Sequence, residues 1–154
     1  MRVHQLHREL VLPQPRREVF EFFSRPENLA KITPPSMGFE ILTPSPIIMR
    51  AGTVIDYSVR VMGIRRHWRT LIELYEPPKR FVDIQLVGPY TMWHHEHRFI
   101  DNGDSTSIVD TVRYVLPFGF LGQMAHGLVV RPQLEKIFNY RTRVIRELLE
   151  EPVS

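Results

Sequence analysis

Residues 91–116 read TMWHHEHRFIDNGDSTSIVDTVRYVL and contain two runs of alternating side chains joined by a short turn. Alternation with a period of two is typical of a β-strand, because successive side chains point to opposite faces of a sheet. The turn, residues 101–104, contains asparagine and glycine and is short enough for a hairpin. The pattern predicts two antiparallel strands, residues 91–100 and 106–116.

The two faces of this predicted hairpin differ in chemistry. One face collects rings, imidazoles and one carboxylate: Trp93, His95, His97, Phe99, Asp110, Val112 and Tyr114. The other carries mostly charged and polar side chains, among them His94, Glu96, Arg98, Thr111 and Arg113. Because charged groups rarely enter a core unpaired, we expect the first face to point inward and the second to meet solvent.

Similar patterns before the hairpin predict five further strands, residues 4–12, 39–42, 53–62, 64–75 and 81–87. Residues 16–35 have helical spacing, and Pro26 divides them into two short helices. Residues 119–150 form a long helix, kinked or restarted at Pro132, with an apolar stripe of Leu134, Ile137, Phe138, Ile145 and Leu148. The predicted fold class is α+β. A curved seven-stranded antiparallel sheet wraps around the long C-terminal helix, and the two short helices lie between strands 1 and 2.

Composition narrows the classes of function. The 154 residues contain no internal repeat or linker, so we expect a single domain spanning 1–154. No cysteine is present, which excludes disulfides, thiolate nucleophiles and cysteine-ligated zinc. No apolar segment of roughly 18 residues and no secretory signal occur, so we expect no transmembrane segment and a cytoplasmic location.

The charge of the chain does not call for a nucleic-acid partner. The 20 basic residues exceed the 17 acidic ones only slightly and are spread along the sequence. The densest basic segment consists of Arg65, Arg66, His67 and Arg69. Beside Gly63 it is typical of a solvated hairpin, with phosphate binding as the alternative. We expect no nucleic-acid partner, and the pattern carries no signal for an oligomeric state.

Four segments of the chain resemble one protein superfamily. They are Trp68-x-Thr70-x-Ile72, Glu76-Pro77-Pro78-x-x-Phe81-x-Asp83-x-Gln85-x-x-Gly88-Pro89, Trp93-x-His95-x-His97-x-Phe99 and Asp110-x-Val112-x-Tyr114. In this order they resemble the bacterial polyketide cyclase/dehydrase-like ligand-binding branch of the START-related (SRPBCC) superfamily, which has the helix-grip fold and includes the birch-pollen allergens. The resemblance covers nearly the whole chain.

The resemblance implies a hydrophobic cavity between the sheet and the terminal helix, of the kind that the superfamily uses for lipids, polyketides, quinones and hormones. Some relatives are enzymes, some carry ligands and others act through protein or ribosome contacts, so the fold leaves function open. Aromatic and polar side chains on one inward face also favour a ligand pocket over a plain core. The predicted pocket residues are Tyr57, Trp68, Phe81, Asp83, Gln85, Trp93, Phe99, Val112, Phe120, Phe138 and Arg141.

Histidines and a carboxylate on adjacent strands give the predicted pocket its candidate chemistry. Facing Cβ atoms on paired strands lie about 5 Å apart, so we expect His95 or His97 near Asp110 or Tyr114. A histidine held by a carboxylate can act as a general base, which makes these four residues the candidate catalytic group. The alternative is a hydrogen-bonded network that only fixes the sheet register. This alternative is favoured, because buried polar groups must be satisfied whether or not they catalyse.

A zinc site is a further hypothesis, with His95 and His97 as ligands and Asp110 as the third. Without cysteine or a helical HExxH motif nothing else in the sequence supports it, and we predict no metal and no cofactor. Arg141, beside the apolar stripe, is expected to pair with an inward carboxylate such as Asp83 or an anionic ligand, or to extend its charge to solvent. The segment 118–122 is expected either to gate the cavity or to be a plain helix start.

The sequence therefore predicts a cytoplasmic protein that binds an apolar or aromatic small molecule, such as a lipid, quinone or polyketide-like compound. One alternative is an enzyme of cyclase or dehydratase type, in which His95 or His97 transfers a proton and Tyr114 or Arg141 stabilises an enolate. The other is a module that docks a protein or ribosomal partner.

Overall fold

Seven antiparallel strands form one sheet in the computed structural model, which describes residues 2–61 and 63–149 apart from the side chain of Phe120. The strands are β1 His4–Leu12, β2 Glu40–Ile41, β3 Val54–Val61, β4 Ile64–Glu76, β5 Arg80–Val87, β6 Met92–Asp101 and β7 Thr106–Val115. Their order across the sheet is β1-β7-β6-β5-β4-β3-β2. The predicted helix-grip arrangement is thereby confirmed.

Strand β2 is shorter than the predicted residues 39–42, for a local reason. The amide of Leu42 still donates to the carbonyl of Asp56 over 2.8 Å. The amide of Asp56 in turn donates to the side-chain hydroxyl oxygen of Thr43 over 2.7 Å, where a ladder would use a carbonyl. The ladder between β2 and β3 therefore ends at Ile41.

Two short helices follow β1, as predicted: α1 Arg16–Phe23 and α2 Pro26–Lys31. Pro26 occupies the first position of α2, where a missing amide hydrogen costs nothing. The second helix ends at Lys31, before Pro34 and Pro35, and the hydroxyl of Thr33 donates to the carbonyl of Leu29 at this end over 2.6 Å. A 3₁₀ turn, Pro35–Met37, then leads to β2.

The terminal helix is continuous but changes its winding. It consists of α3 Gly119–Ala125, a π-helical turn His126–Val130 and α4 Arg131–Leu149. Pro132 has no amide hydrogen to donate to a carbonyl of the preceding turn. That preceding turn is the wider π-helical one, which ends at Val130. The predicted interruption at Pro132 thus takes the form of a change in helical pitch.

Helix α4 buries Leu134, Phe138, Arg141 and Ile145. Ile145 packs with Phe20, Phe81 and Phe99 in one core cluster, and Leu134 and Phe138 pack with Trp93 and Tyr114 in another. Leu148, predicted to lie on the buried stripe, is 48% exposed, because it lies beyond Ile145 in the last turn.

Helix α3, the residue before it and the π-helical turn differ from α4, since several of their large apolar side chains face solvent. These are Phe118, just before α3, at 82%, Leu121 at 68%, Met124 at 54% and Leu128 at 80%. No helix in the described part of the chain is long and apolar enough to cross a membrane.

Candidate functional site

A cavity of about 210 Å³ lies between the sheet, the short helices α1 and α2, and helix α4. Its walls are mostly apolar. The sheet contributes Ile55, Tyr57, Val59, Trp68, Phe81 and Trp93; the short helices contribute Phe22, Phe23, Leu29 and Ile32; α4 contributes Leu134, Ile137 and Phe138. Both tryptophans of the chain, Trp68 and Trp93, line this cavity and contact each other edge to face.

A cluster of four polar side chains, Asp83, His95, His97 and Asp110, lies where β5, β6 and β7 run side by side. The sheet register places His95 opposite Asp83 on one side, and His97 opposite Asp110 on the other. His95, His97 and Asp110 are 4%, 5% and 9% exposed. Asp83, His95 and His97 line the cavity, and Asp110 lies behind the two imidazoles.

The hydrogen bonds of this cluster run diagonally to the register. His95 Nε2 lies 2.7 Å from Asp110 Oδ1, and His97 Nε2 lies 2.5 Å from Asp83 Oδ2. The second nitrogen of each ring faces the other carboxylate. His95 Nδ1 is 3.8 Å from Asp83 Oδ2, and His97 Nδ1 is 3.4 Å from Asp110 Oδ1. Each imidazole therefore lies between the same two carboxylates and is hydrogen-bonded to one of them.

Arg141 supplies the positive charge closest to Asp110. Its Nη2 lies 3.9 Å from Asp110 Oδ1, and its guanidinium lies 5.5 Å from the ring centres of both Phe23 and Phe138. Arg141 is 8% exposed. Its charge therefore does not extend to solvent, contrary to one of the expectations for this side chain. The carboxylate within ion-pair distance is Asp110 and not the predicted Asp83. The buried Nε of Arg141 has no hydrogen-bond partner within the described part of the chain.

The electrostatics of the cluster keep the carboxylates ionised. Burial alone would raise the pKa of Asp110, but Arg141 and the hydrogen bond with His95 hold that pKa far below its usual value. Burial would likewise raise the pKa of Asp83, but the hydrogen bond from His97 and the charges of His95, His97 and Arg141 together outweigh burial and lower that pKa. Burial, reinforced by His95, lowers the pKa of His97 to about 4. His97 is consequently a neutral imidazole at neutral pH.

Solved structures were compared with this geometry. A START superfamily protein from Mycobacterium smegmatis superposes with a TM-score of 0.70 at 14% identity, covering 96% of this chain and 97% of that one. The Zhui aromatase/cyclase from Streptomyces sp. R1128 gives 0.69 at 18%, covering 96% of each chain. This chain has the START-related helix-grip fold. No family model and no curated protein matches it.

A third structure of the same fold has bound ligands. Norcoclaurine synthase from Thalictrum flavum, in complex with dopamine and hydroxybenzaldehyde, superposes with a TM-score of 0.64 at 15% identity, covering 94% of this chain and 87% of that one. At these identities the likeness concerns the fold alone.

The predicted pocket residues divide into two groups in this helix-grip fold. The larger group lines the cavity: Tyr57, Trp68, Phe81, Asp83, Trp93, His95, His97, Phe138 and Arg141. Gln85, Phe99 and Val112 do not line it. The amide of Gln85 bonds both the carbonyl and the amide of Tyr90 and so holds the β5–β6 link, while Phe99 and Val112 belong to the two core clusters. The side chain of Phe120 lies outside the described residues.

Of the two partners expected for His95 or His97, Asp110 makes the contact, and the hydroxyl of Tyr114 has another partner. This hydroxyl lies 2.7 Å from His126 Nε2 in the π-helical turn. The ring of His126 stacks on that of His4 with centroids 3.6 Å apart, and His4 Nε2 lies 2.6 Å from Gln123 Oε1. Tyr114 therefore belongs to a separate polar group that joins β1 and β7 to the terminal helix.

Two surface features also have defined positions. None of the described side chains of residues 118–122 lines the cavity, so the gate hypothesis for this segment has no geometric support. In the basic segment, His67 and Arg69 both contact Asp56 Oδ1, at 2.6 and 2.9 Å. Arg65 donates to Ser58 Oγ over 2.6 Å. Three of the four basic side chains of this segment therefore already have partners within the protein.

Sequence reasoning missed the cavity walls outside the central strands. The short helices, the segment before β3 and the first turns of α4 contribute Phe22, Phe23, Leu29, Ile32, Met37, Phe39, Met49, Leu134 and Ile137. The helical spacing of apolar residues indicated that the short helices have an inward side. This spacing does not show where the inward side of the short helices stands away from the sheet and leaves a cavity.

Proposed function

We propose that this cavity binds a small, largely aromatic or apolar molecule with one polar group placed against the Asp83, His95 and His97 side chains. The supporting observation is a mostly apolar cavity in which these polar groups are concentrated in one part of the wall. Pockets of this composition take affinity from apolar burial and orientation from a few polar contacts.

The volume favours a compact ligand over a long lipid. An apolar cavity of about 150 Å³ is sufficient for benzene, and drug-sized ligands occupy sites of roughly 300–1,000 Å³. At about 210 Å³ the cavity fits one substituted aromatic ring or a small fused pair. A phenol or aryl ketone would present its oxygen to Asp83 and the imidazoles.

The two tryptophans provide a direct binding assay. 2-Naphthol titrated into the protein should change the emission of Trp68 and Trp93 saturably, with one site by calorimetry. Val59→Phe, which adds bulk to the cavity wall, should weaken binding at least tenfold. Val54→Phe is the matched control on the same strand, because Val54 does not line the cavity and is 40% exposed. Non-saturable quenching, or equal weakening by both variants, would refute cavity binding.

A second candidate function is proton transfer to or from the bound molecule, as in a cyclase or dehydratase. The observation that favours it is the 2.5 Å contact between His97 Nε2 and Asp83 Oδ2 at the cavity wall. The ionised carboxylate of Asp83 lines the cavity and can accept a proton from an acidic carbon or hydroxyl, while the neutral imidazole of His97 donates a hydrogen bond to it. Loss of turnover in His97→Gln, with unchanged 2-naphthol affinity, would separate this function from binding alone.

A further inference from the structure

We propose that Asp83, His95 and His97 form a binding site for a divalent transition-metal ion, with Zn²⁺ as the probe ion. One ligand atom from each of these three residues lies within 4.8 Å of the other two. Two histidine nitrogens and one carboxylate oxygen are a donor set typical of zinc, whereas magnesium and calcium prefer oxygen alone. This inference does not depend on the identity of the organic ligand.

The backbone presents the two histidines correctly for a shared ion. His95 and His97 are two residues apart on β6, so both side chains project from the same face of the strand. His95 Nδ1 and His97 Nε2 both point towards Asp83 Oδ2, at 3.8 and 2.5 Å. Ligand atoms about 2.0–2.1 Å from a tetrahedral zinc are roughly 3.3 Å apart. The observed spacings lie on either side of that value, and shifts of about 1 Å would admit the ion.

Asp110 is placed to support the ligands from behind. Zinc-bound histidines usually donate their other ring hydrogen to a carboxylate, which fixes the tautomer and orients the ring. His95 Nε2 already bonds Asp110 Oδ1 over 2.7 Å. His97 Nδ1 lies 3.4 Å from the same oxygen. Asp110 was the third ligand in the zinc hypothesis drawn from the sequence; in this proposal the third ligand is Asp83, which lines the cavity.

An unpartnered buried atom is the second, independent observation. His97 is 5% exposed, and its Nδ1 has no hydrogen-bond partner among the residues that the structure describes. In the metal-free protein the hydrogen on Nε2 is directed to Asp83, which leaves Nδ1 bare. When an ion takes the place of that hydrogen, the neutral ring carries its one proton on Nδ1 and donates it to Asp110. Metal binding would therefore satisfy an atom that the metal-free protein leaves unpaired.

The remaining coordination position would face the cavity. All three ligand residues line the cavity, whereas Asp110 does not. A site with three protein ligands and one open position leaves room for water or for the oxygen of a bound molecule. The formal charges of Asp83, Asp110 and Arg141 sum to one negative unit, which favours a cation.

The test is calorimetric titration of Zn²⁺ into the full chain after treatment with EDTA. We expect one tight site in the wild type. Asp83→Asn, His95→Gln and His97→Gln should each weaken it at least 100-fold, and Asp110→Asn should weaken it about 10- to 100-fold. His94→Gln is the matched control, since His94 directly precedes His95 and lies on the other face of β6. His126→Gln controls for adventitious binding at the stacked His4–His126 pair. Both controls should keep the wild-type affinity within twofold.

Absence of stoichiometric Zn²⁺ binding would overturn the proposal, as would a tight site lost in His126→Gln or His94→Gln and kept in the three ligand variants. X-ray absorption of the zinc-loaded wild type keeps the test independent of variant folding. It should show two imidazole ligands and light oxygen scatterers, and a spectrum without imidazole would exclude the site.

Discussion

The imidazole rings of His95 and His97 are stacked, with centroids 3.6 Å apart and planes 25° apart. Two positive charges at this separation would repel each other strongly within a buried site. The neighbouring ring of His95 accordingly adds to burial in lowering the pKa of His97. This property governs how the protein responds to pH.

Stability should fall as the pH falls from about 6.5 to 4, because of His97. Burial lowers its pKa to about 4 in the folded protein, against about 6.5 in an unfolded chain. Between these values the unfolded state binds more protons, so the free energy of unfolding decreases with decreasing pH, by at most about 1.4 kcal/mol per unit. Urea unfolding at pH 7, 6 and 5 measures this slope. His97→Gln should flatten it and His94→Gln should retain it; an unchanged slope in His97→Gln would contradict the assignment.

Replacing Arg141 should destabilise the fold through Asp110. Arg141→Met leaves a buried carboxylate without its nearest cation, and breaking such a pair typically costs about 3–5 kcal/mol. Chemical denaturation measures the loss. The double variant Arg141→Met/Asp110→Asn should recover at least about 1 kcal/mol, because it also removes the uncompensated charge. Strict additivity of the two single changes would show that the side chains do not interact.

Tyr114→Phe should leave ligand binding unchanged while lowering stability by about 1 kcal/mol. The lost hydroxyl bonds His126 over 2.7 Å and does not reach the cavity, and one hydrogen bond contributes about that amount. Thermal unfolding and 2-naphthol titration of the same preparation measure both quantities. A tenfold loss of 2-naphthol affinity at unchanged stability would instead place Tyr114 in the binding site.

Gly122 and Gly127 should respond oppositely to alanine. A Cβ at Gly122 would meet the carbonyl oxygen of Pro117 at 2.2 Å, whereas one at Gly127 would meet nothing within 4 Å. Gly122→Ala should therefore lower the melting temperature. Gly127→Ala should leave it equal or higher, because alanine favours helix by up to about 1 kcal/mol over glycine. Equal effects of the two changes would mean that the start of α3 is not held against Pro117.

The alternation of side chains predicted the faces of the sheet well. His95 and His97 are buried on one side of β6, and the exposed Arg98 lies on the other. Alternation gives the side of a sheet but not the place along a strand where a helix covers it. Phe99 has the same orientation as His97, yet it packs under Phe20 of α1 and not in the cavity.

The pairing of Asp83 with His97 could not be predicted, because it depends on the register between β5 and β6. Strand registers in this sheet are not regular. The neighbouring β4–β5 ladder shifts its register between Arg69 and Thr70 and between Ile72 and Leu74, and no residue in that part of the sequence predicts these shifts. A shift of one residue would have turned Asp83 to the other face of the sheet. The contact of Tyr114 with His126 depends similarly on the position at which the terminal helix packs against the sheet.

The π-helical turn between α3 and α4 has a consequence for the direction of side chains. Such a turn accommodates one more residue than an α-helical turn, so everything before it is rotated by roughly 100° about the axis relative to an uninterrupted helix. Side chains of α3 therefore do not continue the buried stripe of α4 at regular α-helical spacing, and Leu121 is 68% exposed. Deleting one residue from His126–Val130 would convert the turn into regular α-helix and leave the side-chain directions of both flanking helices as they are, because the wider turn already accommodates the additional residue.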